Sequence, residues 1–241
     1  MITLFRRIRQ KLIESGSVTK YLLYAIGEIL LVVVGILIAL QVNNWNEERR
    51  QREVSFNTLQ SLKTELEEAK SGLDDVIGFN NDLLKDSELY IYEKFSKDSL
   101  KADPGAIFRF TNYTTIKLDL PVLERELSSD RLIQGEDSLN TKLREIKTLA
   151  TRMSESFVYL DEFWNSQVTP YFIEKRIMVY LHQNLRTNEE LAMSNIEQAF
   201  EDEEYRNLAA MCNLFTYSFT RQAETLLTTI DETLILIEGM S

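Results

Sequence analysis

The chain has 241 residues, with 27 Lys and Arg against 38 Asp and Glu, a formal net charge of −11. A surface that acidic repels nucleic acid and anionic headgroups, so nucleic-acid binding is set aside. One cysteine, Cys212, closes no internal disulfide, one histidine and one cysteine make no zinc constellation, and three prolines with eight glycines favour long helices over many short strands.

The chain opens with Leu4, Phe5, Ile8 and Leu12 on one helical face and Arg6, Arg7, Arg9 and Lys11 on the others. That is the pattern of a helix lying in an inner headgroup layer, where residues 1–20 either reinforce topology or dock a cytoplasmic partner or acidic lipid. Residues 21–42, YLLYAIGEILLVVVGILIALQV, come next. Crossing a hydrocarbon core of about 30 Å takes roughly 20 apolar residues, and this run supplies them. It ends in Ala39-Leu40-Gln41-Val42-Asn43-Asn44-Trp45, without a small-x-small cleavage site, which predicts an uncleaved signal anchor. Tyr21 and Tyr24 at one end and Trp45 at the other suit the two membrane interfaces.

Arg6, Arg7, Arg9, Lys11 and Lys20 precede the span, and Arg49, Arg50 and Arg52 follow it, interleaved with Glu47, Glu48 and Glu53. The Lys/Arg excess places the N-terminus in the cytoplasm and residues 43–241 outside, in the periplasm of a Gram-negative host. The first 42 residues hold five basic and two acidic side chains, which leaves 22 basic and 36 acidic ones beyond them, a net −14.

Beyond Trp45, Leu59, Leu62, Leu66, Ala69, Leu73, Val76, Asn80 and Leu83 recur at steps of three and four, a heptad seam that needs a partner helix. No Gly or Pro separates Trp45 from Ser71, so the span can run straight into a stalk. Asn80 either sets register or marks where the seam frays. From 96 to 135 the periodicity fails. Asp103-Pro104-Gly105 reads as a turn, Ile116, Leu118 and Leu120 alternate with Lys117 and Asp119 as one short strand would, and Pro121 opens a short helix to Leu127.

Asp137 is a plausible N-cap for a helix buried along Leu139, Leu143, Ile146, Ala150, Met153, Phe157, Leu160 and Trp164. Thr169-Pro170 predicts a new helix with Ile173, Ile177 and Leu181 on one face, and Thr187 to Glu190 has capping-box spacing ahead of Leu191, Ile196 and Ala199. The acidic run Glu201 to Glu204 then precedes a last helix from Leu208 through Cys212, Phe219, Leu226 and Ile230 to Ile237, with Gly239 as its stop. The expected fold is all-α: one transmembrane helix followed by an extracytoplasmic antiparallel helical bundle of about four long helices.

Conventional catalytic groups are scarce. His182 flanks an apolar helix face, Cys212 lies in a buried stripe, and no phosphate loop or Ser/His/Asp grouping occurs, so no catalytic, cofactor or metal residues are assigned. Phe157, Tyr159, Phe163, Trp164, Tyr171, Phe172 and Tyr180 cluster at a helix junction, either as a bundle end packed with rings or as a small-ligand pocket.

The segments RRIRQKLIESG and KYLLYAIGEILLVVVGILIALQVNNWNEERR resemble the start of an uncharacterised family of single-span inner-membrane proteins of the Bacteroidota, known only as a domain of unknown function. The resemblance is specific over residues 5–52, notably Tyr24-Ala25-Ile26-Gly27-Glu28 and Asn43-Asn44-Trp45-Asn46-Glu47, and looser from Leu120 onward. It implies a mainly helical inner-membrane protein and brings no catalytic residues with it.

Glu28 is the sharpest feature. An ionisable group near the bilayer centre costs several kcal/mol, which makes it a functional candidate. Gly27, Leu31, Gly35 and Ala39 form a stripe beside it, and Gly35-x-x-x-Ala39 has the spacing that lets helices approach closely. Three roles fit: a protonated Glu28 bonding across a homo-oligomer of spans, recognition of a polar or basic residue in a multi-span membrane partner, or proton handling in an ion-driven complex. The expected function is therefore a non-catalytic accessory, scaffold or sensor protein of the bacterial cell envelope. The alternative is a subunit of a proton-driven motor or transport complex that uses Glu28.

Overall fold

A computed structural model describes residues 18–128, 137–178 and 193–240 of the chain. The basic opening, Tyr180, Leu181, His182 and the Thr187 to Leu191 segment lie outside the described residues. What is described is all-α, as expected, with no strand among the described residues. The chain divides into two units, residues 1–57 and 58–241.

One helix, α1 (Val18–Ile91, 74 residues), begins in the first unit and continues into the second. No proline interrupts it, and its glycines at 27, 35, 72 and 78 are too few to break a helix otherwise rich in Leu, Ile and Glu. In the first unit its side chains are bare: Leu22, Leu23, Ile29 to Val34, Ile36 to Ile38, Leu40 and Val42 are all exposed large apolar residues. It is the one helix among the described residues long and apolar enough to cross a membrane.

In the second unit the same helix turns amphipathic, and the seam residues Leu59, Leu62, Leu66, Ala69, Leu73, Val76, Asn80 and Leu83 are all buried. Their partners belong to the same chain. Helix α5 (Asp137–Phe163, 27 residues) contributes Leu139, Leu143, Ile146, Met153 and Leu160, and α8 (Glu203–Met240, 38 residues) contributes Phe219, Ala223, Leu226, Ile230 and Ile237. Each such side chain is worth about 1.5–3 kcal/mol when fully removed from water, so this stripe-on-stripe contact dominates the unit's stability. Lys63 to Glu238 at 2.8 Å and Lys70 to Asp231 at 2.5 Å show that α1 and α8 run antiparallel, and Lys142 to Glu232 at 2.7 Å ties α5 to α8. Helix α8 also buries Thr216, Thr220, Thr229 and Thr233; the hydroxyls of Thr220, Thr229 and Thr233 donate to carbonyls four residues back.

Among the described residues three helices exceed twenty residues, and the remaining side of the bundle is closed differently from a fourth long helix. After α1, Ser96 caps α2 (Lys97–Ala102) by accepting from the Ser99 N–H, and α3 (Ala106–Arg109) follows the turn at Pro104-Gly105. Residues 112–120 then form a strap without secondary structure. The short strand expected at Ile116 to Leu120 is absent, although the alternation that suggested it is real. Ile116 and Leu118 are half-buried on the core and Leu120 is buried, while Lys117 and Asp119 are exposed. The alternation arises from lying on helices, and a strand also needs a neighbouring strand, which the strap does not have.

Three contacts with α1 position the strap. Asn80, fully buried, donates through Nδ2 to the Thr114 carbonyl at 3.0 Å and accepts the Thr114 N–H at 2.9 Å. Ile116 sits over Gly72, where an added Cβ would meet its Cδ1 at 2.2 Å. Helix α4 (Pro121–Ser128) begins against Glu65, whose carboxylate oxygens accept the N–H groups of Val122 at 2.7 Å and Leu123 at 2.9 Å. Pro121 has no N–H, so this one side chain serves the first donors the helix possesses, and its charge complements the helix dipole. The strap therefore runs antiparallel to α1, from Asn80 down to Glu65.

A helix starts at Thr169-Pro170 as expected, but a widened turn rather than a break precedes it. Helix α5 passes through a π-helical stretch, Trp164–Val168, into α6 (Thr169–Glu174) with helical angles at both joins. Pro170 cannot donate to the carbonyl four residues back and its ring presses on it; widening the preceding turn relieves both faults without stopping the helix. The helix ends at Glu174, and Arg176 has φ 59°, a left-handed conformation that turns the chain. That turn overrides the face expected for Ile173 and Ile177: Ile173 is exposed, Ile177 buried, and Tyr171 and Phe172 take the inward positions. Helix α7 (Ser194–Glu201) buries Ile196 and Ala199 as their spacing predicts. Helix α8 runs through Gly239 to Met240, so Gly239 is not its stop.

Candidate functional site

In the first unit the stripe beside Glu28 faces open space. Gly27, Leu31, Gly35 and Ala39 are exposed, Leu31 by 71 %, and nothing lies within 4 Å of where a Cβ would stand on Gly27 or Gly35. Glu28 itself is of intermediate exposure. Helical spacing places Gly27, Leu31, Gly35 and Ala39 along one side, a shallow groove bounded by large aliphatic side chains. Such a surface can take a second helix at close range, and a carboxyl beside it can hydrogen-bond across the contact. Tyr21 and Tyr24 belong to the first turns of α1, and Trp45, 61 % exposed, stands at the far end of the apolar run. Arg6, Arg7, Arg9 and Lys11 lie outside the described residues.

The second candidate was the aromatic cluster, and the structure packs it as a bundle end. Trp164 meets Phe172 edge-on at 6.4 Å, Tyr171 meets Phe172 at 6.3 Å, and Phe163 meets Phe215 at 5.4 Å. Phe157 contacts Tyr113 instead, and Tyr159 is exposed. The centre of the cluster joins Tyr171 to four rings not singled out from sequence, Tyr90, Phe110, Phe200 and Tyr205. Tyr90 stacks on Phe110 at 4.5 Å and Tyr171 on Tyr205 at 5.5 Å, with Phe200 closing over Tyr90 at 5.1 Å. These rings come from five separate elements, which no local spacing relates.

The polar ends of those rings are occupied. The Tyr90 hydroxyl donates to the Phe200 carbonyl at 3.0 Å, Tyr205 to the Ile107 carbonyl, and Tyr171 to Asp202 at 3.0 Å. Burial pushes the Tyr90 hydroxyl up to about 12 and raises Tyr205 well above the ordinary range. Asp202 also accepts from Lys175 at 3.0 Å and from the Glu204 N–H at 2.9 Å, so it starts α8 while pinning α6. The hydrogen bond from Lys175 is the largest influence holding its carboxyl below the ordinary range. The acidic run Glu201 to Glu204 is thus explained by capping and pairing, with Glu201 bound to Lys97. Among the described residues no group of three His, Cys, Asp or Glu side chains could hold a metal ion. Cys212 is buried and its thiol is pushed up to about 12 by burial, far from a nucleophile's range.

Of two polar residues that hold the strap and α4, sequence reasoning missed one and read the other only in part. Glu65 sits in the acidic run Glu65-Leu66-Glu67-Glu68 and looks like any solvated charge, yet it is 9 % exposed and caps α4. Asn80 gave a signal, a polar residue at a seam position, but its use as a clamp on the strap depends on a segment 34 residues away.

A family described as of unknown function (DUF6090) matches residues 28–103. That region starts at Glu28, takes in the rest of α1 with the exposed run and the buried seam, and ends in the turn after α2; the strap, α5 and α8 lie beyond it. No curated protein and no solved structure matches the chain. Over residues 28–103 the chain is thus similar to a family of unknown function.

Proposed function

We propose that this chain is a membrane-anchored, non-catalytic accessory, scaffold or sensor protein of a bacterial cell envelope. The N-terminus lies in the cytoplasm, the span in the inner membrane and residues 43–241 in the periplasm. The observation that carries this reading is the contrast within α1: its apolar face is satisfied by the same chain from Leu59 onward and bare before it. With the seam closed inside the unit, the surface left for association is the span, with Glu28, Gly27, Gly35 and Ala39. The partner on that surface is a second copy of the span or a helix of a multi-span membrane protein.

The test is extraction of a C-terminally tagged chain from native membranes in mild detergent, wild type beside Glu28→Ala, with the co-purifying proteins identified by mass. A specific multi-span partner lost in the variant supports the accessory role, and recovery of the chain alone as an oligomer in both supports a scaffold of spans. Recovery of the wild type in the soluble fraction defeats the reading.

The position of Glu28 on an apolar helix favours a second reading, a subunit of a proton-driven motor or transport complex. Glu28→Gln separates the two: hydrogen bonding persists in the variant, so assembly survives in the first case, while energised function is lost in the second.

A further inference from the structure

The bare part of α1 does not end with its apolar run. Residues 43–57 stay helical, and every side chain among them is exposed. At about 100° per residue, Trp45, Arg49, Arg52 and Phe56 fall within about 60° of one another, on one cationic and aromatic face. Glu47 lies on the opposite side, where it accepts from Gln51 Nε2 at 3.2 Å. Glu48 and Glu53 flank the face, four residues from Arg52 and Arg49, yet among the described residues no carboxylate pairs with Arg49, Arg50 or Arg52. Side chains three apart on a helix have Cβ atoms about 5–6 Å apart, so the guanidiniums of Arg49 and Arg52 can hold one tetrahedral anion between them.

The place of this face along α1 says which anion. Arg49 and Arg52 stand seven and ten residues beyond Val42, where the apolar run ends, or about 10 and 15 Å along the axis. Helical side chains lean toward the N-terminus of their helix, here back toward the apolar run. An arginine that snorkels that way recovers several ångströms, which brings Arg49 into the headgroup layer, about 5–8 Å thick, and Arg52 to its outer edge. Trp45, a turn nearer the run, supplies the ring that lies against the ester region of a lipid. Phe56, about 21 Å out, is past that layer and takes no part. Two unpaired cations select a headgroup of net negative charge, because a zwitterionic one brings its own cation. The chain's overall negative charge does not forbid this: residues 43–57 hold three arginines against three glutamates, and screening limits the reach of charge elsewhere to about 8 Å.

We propose that Trp45, Arg49 and Arg52 bind the phosphate of an anionic glycerophospholipid. The site rests on the reading of residues 21–42 as a membrane span; it does not depend on which side of the membrane the segment lies.

The probe is dioleoyl phosphatidylglycerol, added to the delipidated full chain in a nonionic detergent beside dioleoyl phosphatidylcholine and scored by native mass spectrometry. The wild type retains the anionic lipid about tenfold more tightly. Arg49→Gln and Arg52→Gln each weaken its retention about fivefold, and the two together about thirtyfold. Arg50→Gln, the same charge change on another face, weakens it less than twofold. Equal retention of the two lipids, undiminished retention in the double variant, or an Arg50→Gln loss equal to that of Arg49→Gln overturns the proposal. Displacement of the lipid by millimolar inorganic phosphate overturns it too, by making the site one for free phosphate. Fractionation of cells keeps the two readings apart. A chain that stays with the membranes but shows no preference for the anionic lipid defeats this site alone, whereas wild type in the soluble fraction defeats the span as well.

Discussion

The side-chain amide of Asn80 takes both backbone groups of Thr114, donating at 3.0 Å and accepting at 2.9 Å, and so does for the strap what a neighbouring strand would otherwise do. Asn80→Leu fills similar space but leaves the Thr114 N–H and C=O unpaired against the bundle. The expected loss is about 2 kcal/mol, read from urea unfolding, and exchange of the Thr114 amide, which Asn80 accepts, accelerates before the helices are affected. An unchanged midpoint would show that the clamp contributes nothing net.

Glu65 is expected to behave as a cap. Glu65→Ala removes the acceptor of two helix N–H groups at once and costs about 2 kcal/mol, at the upper end of cap deletions. Glu65→Gln retains one acceptor oxygen and recovers part of that loss. Equal midpoints for the two variants would count against capping and in favour of packing alone.

Gly72 sets two magnitudes against each other. Alanine gains about 1 kcal/mol of helix propensity at an interior glycine, and its Cβ forces Ile116 Cδ1 aside, a rotamer change of order 0.5–1.5 kcal/mol. Gly72→Ala therefore leaves stability within about 1 kcal/mol of wild type. Gly72→Leu, with no such escape, lifts the strap, lowers the unfolding midpoint and raises the exchange rate of the Thr114 amide. Strong destabilisation by the alanine alone would mean that Ile116 has no alternative rotamer.

The Asp202 carboxyl is stabilised as an anion by its hydrogen bond from Lys175, then by the Glu204 N–H and the Tyr171 hydroxyl, so its value in the folded chain lies below the ordinary 3.8. A depressed carboxylate supports folding above its unfolded value, and that support fades as the pH falls from about 4 through the lower folded value. Wild type thus loses this share of stability on acidification. Asp202→Asn starts lower at pH 7 and loses less between pH 5 and pH 2. Parallel curves for the two proteins would remove Asp202 from the acid response.

Cys212 provides a clean probe of the core. With its thiol buried and pushed up to about 12, iodoacetamide at pH 8 leaves the native chain unmodified and alkylates it only as the second unit opens. Rapid labelling without denaturant would contradict the packing of α8 against the ring cluster.

The long helices were legible because their apolar spacing is regular and their partners share it. Leu59 to Leu83, Leu139 to Leu160 and Phe219 to Ile237 each bury the stripe their spacing marks. The ring cluster was legible only from one side, since Tyr171 and Phe172 lie near Trp164 in sequence whereas Tyr90, Phe110 and Tyr205 arrive from distant elements. The strap misled because period-two burial reports a surface below the chain and says nothing of a neighbour beside it. The π-helical stretch was hidden for a related reason: five residues in a wider turn barely disturb a 3.6-residue pattern read over 27 residues. At Glu28 and its stripe the sequence marks a carboxyl within an apolar run, and the structure leaves Gly27, Leu31, Gly35 and Ala39 beside it exposed.

The threonines of α8 have a consequence for the chain before it folds. Thr220, Thr229 and Thr233 give their hydroxyl protons to carbonyls of their own helix and are buried in the second unit. The same hydroxyls bond to water when the segment is unfolded. A sequence as aliphatic as Leu226 to Ile237 thus remains wettable as a nascent chain, yet its core contacts are close to those valine would make. Solubility and burial are reconciled within single side chains, by a proton that changes its acceptor from solvent to backbone as the helix forms.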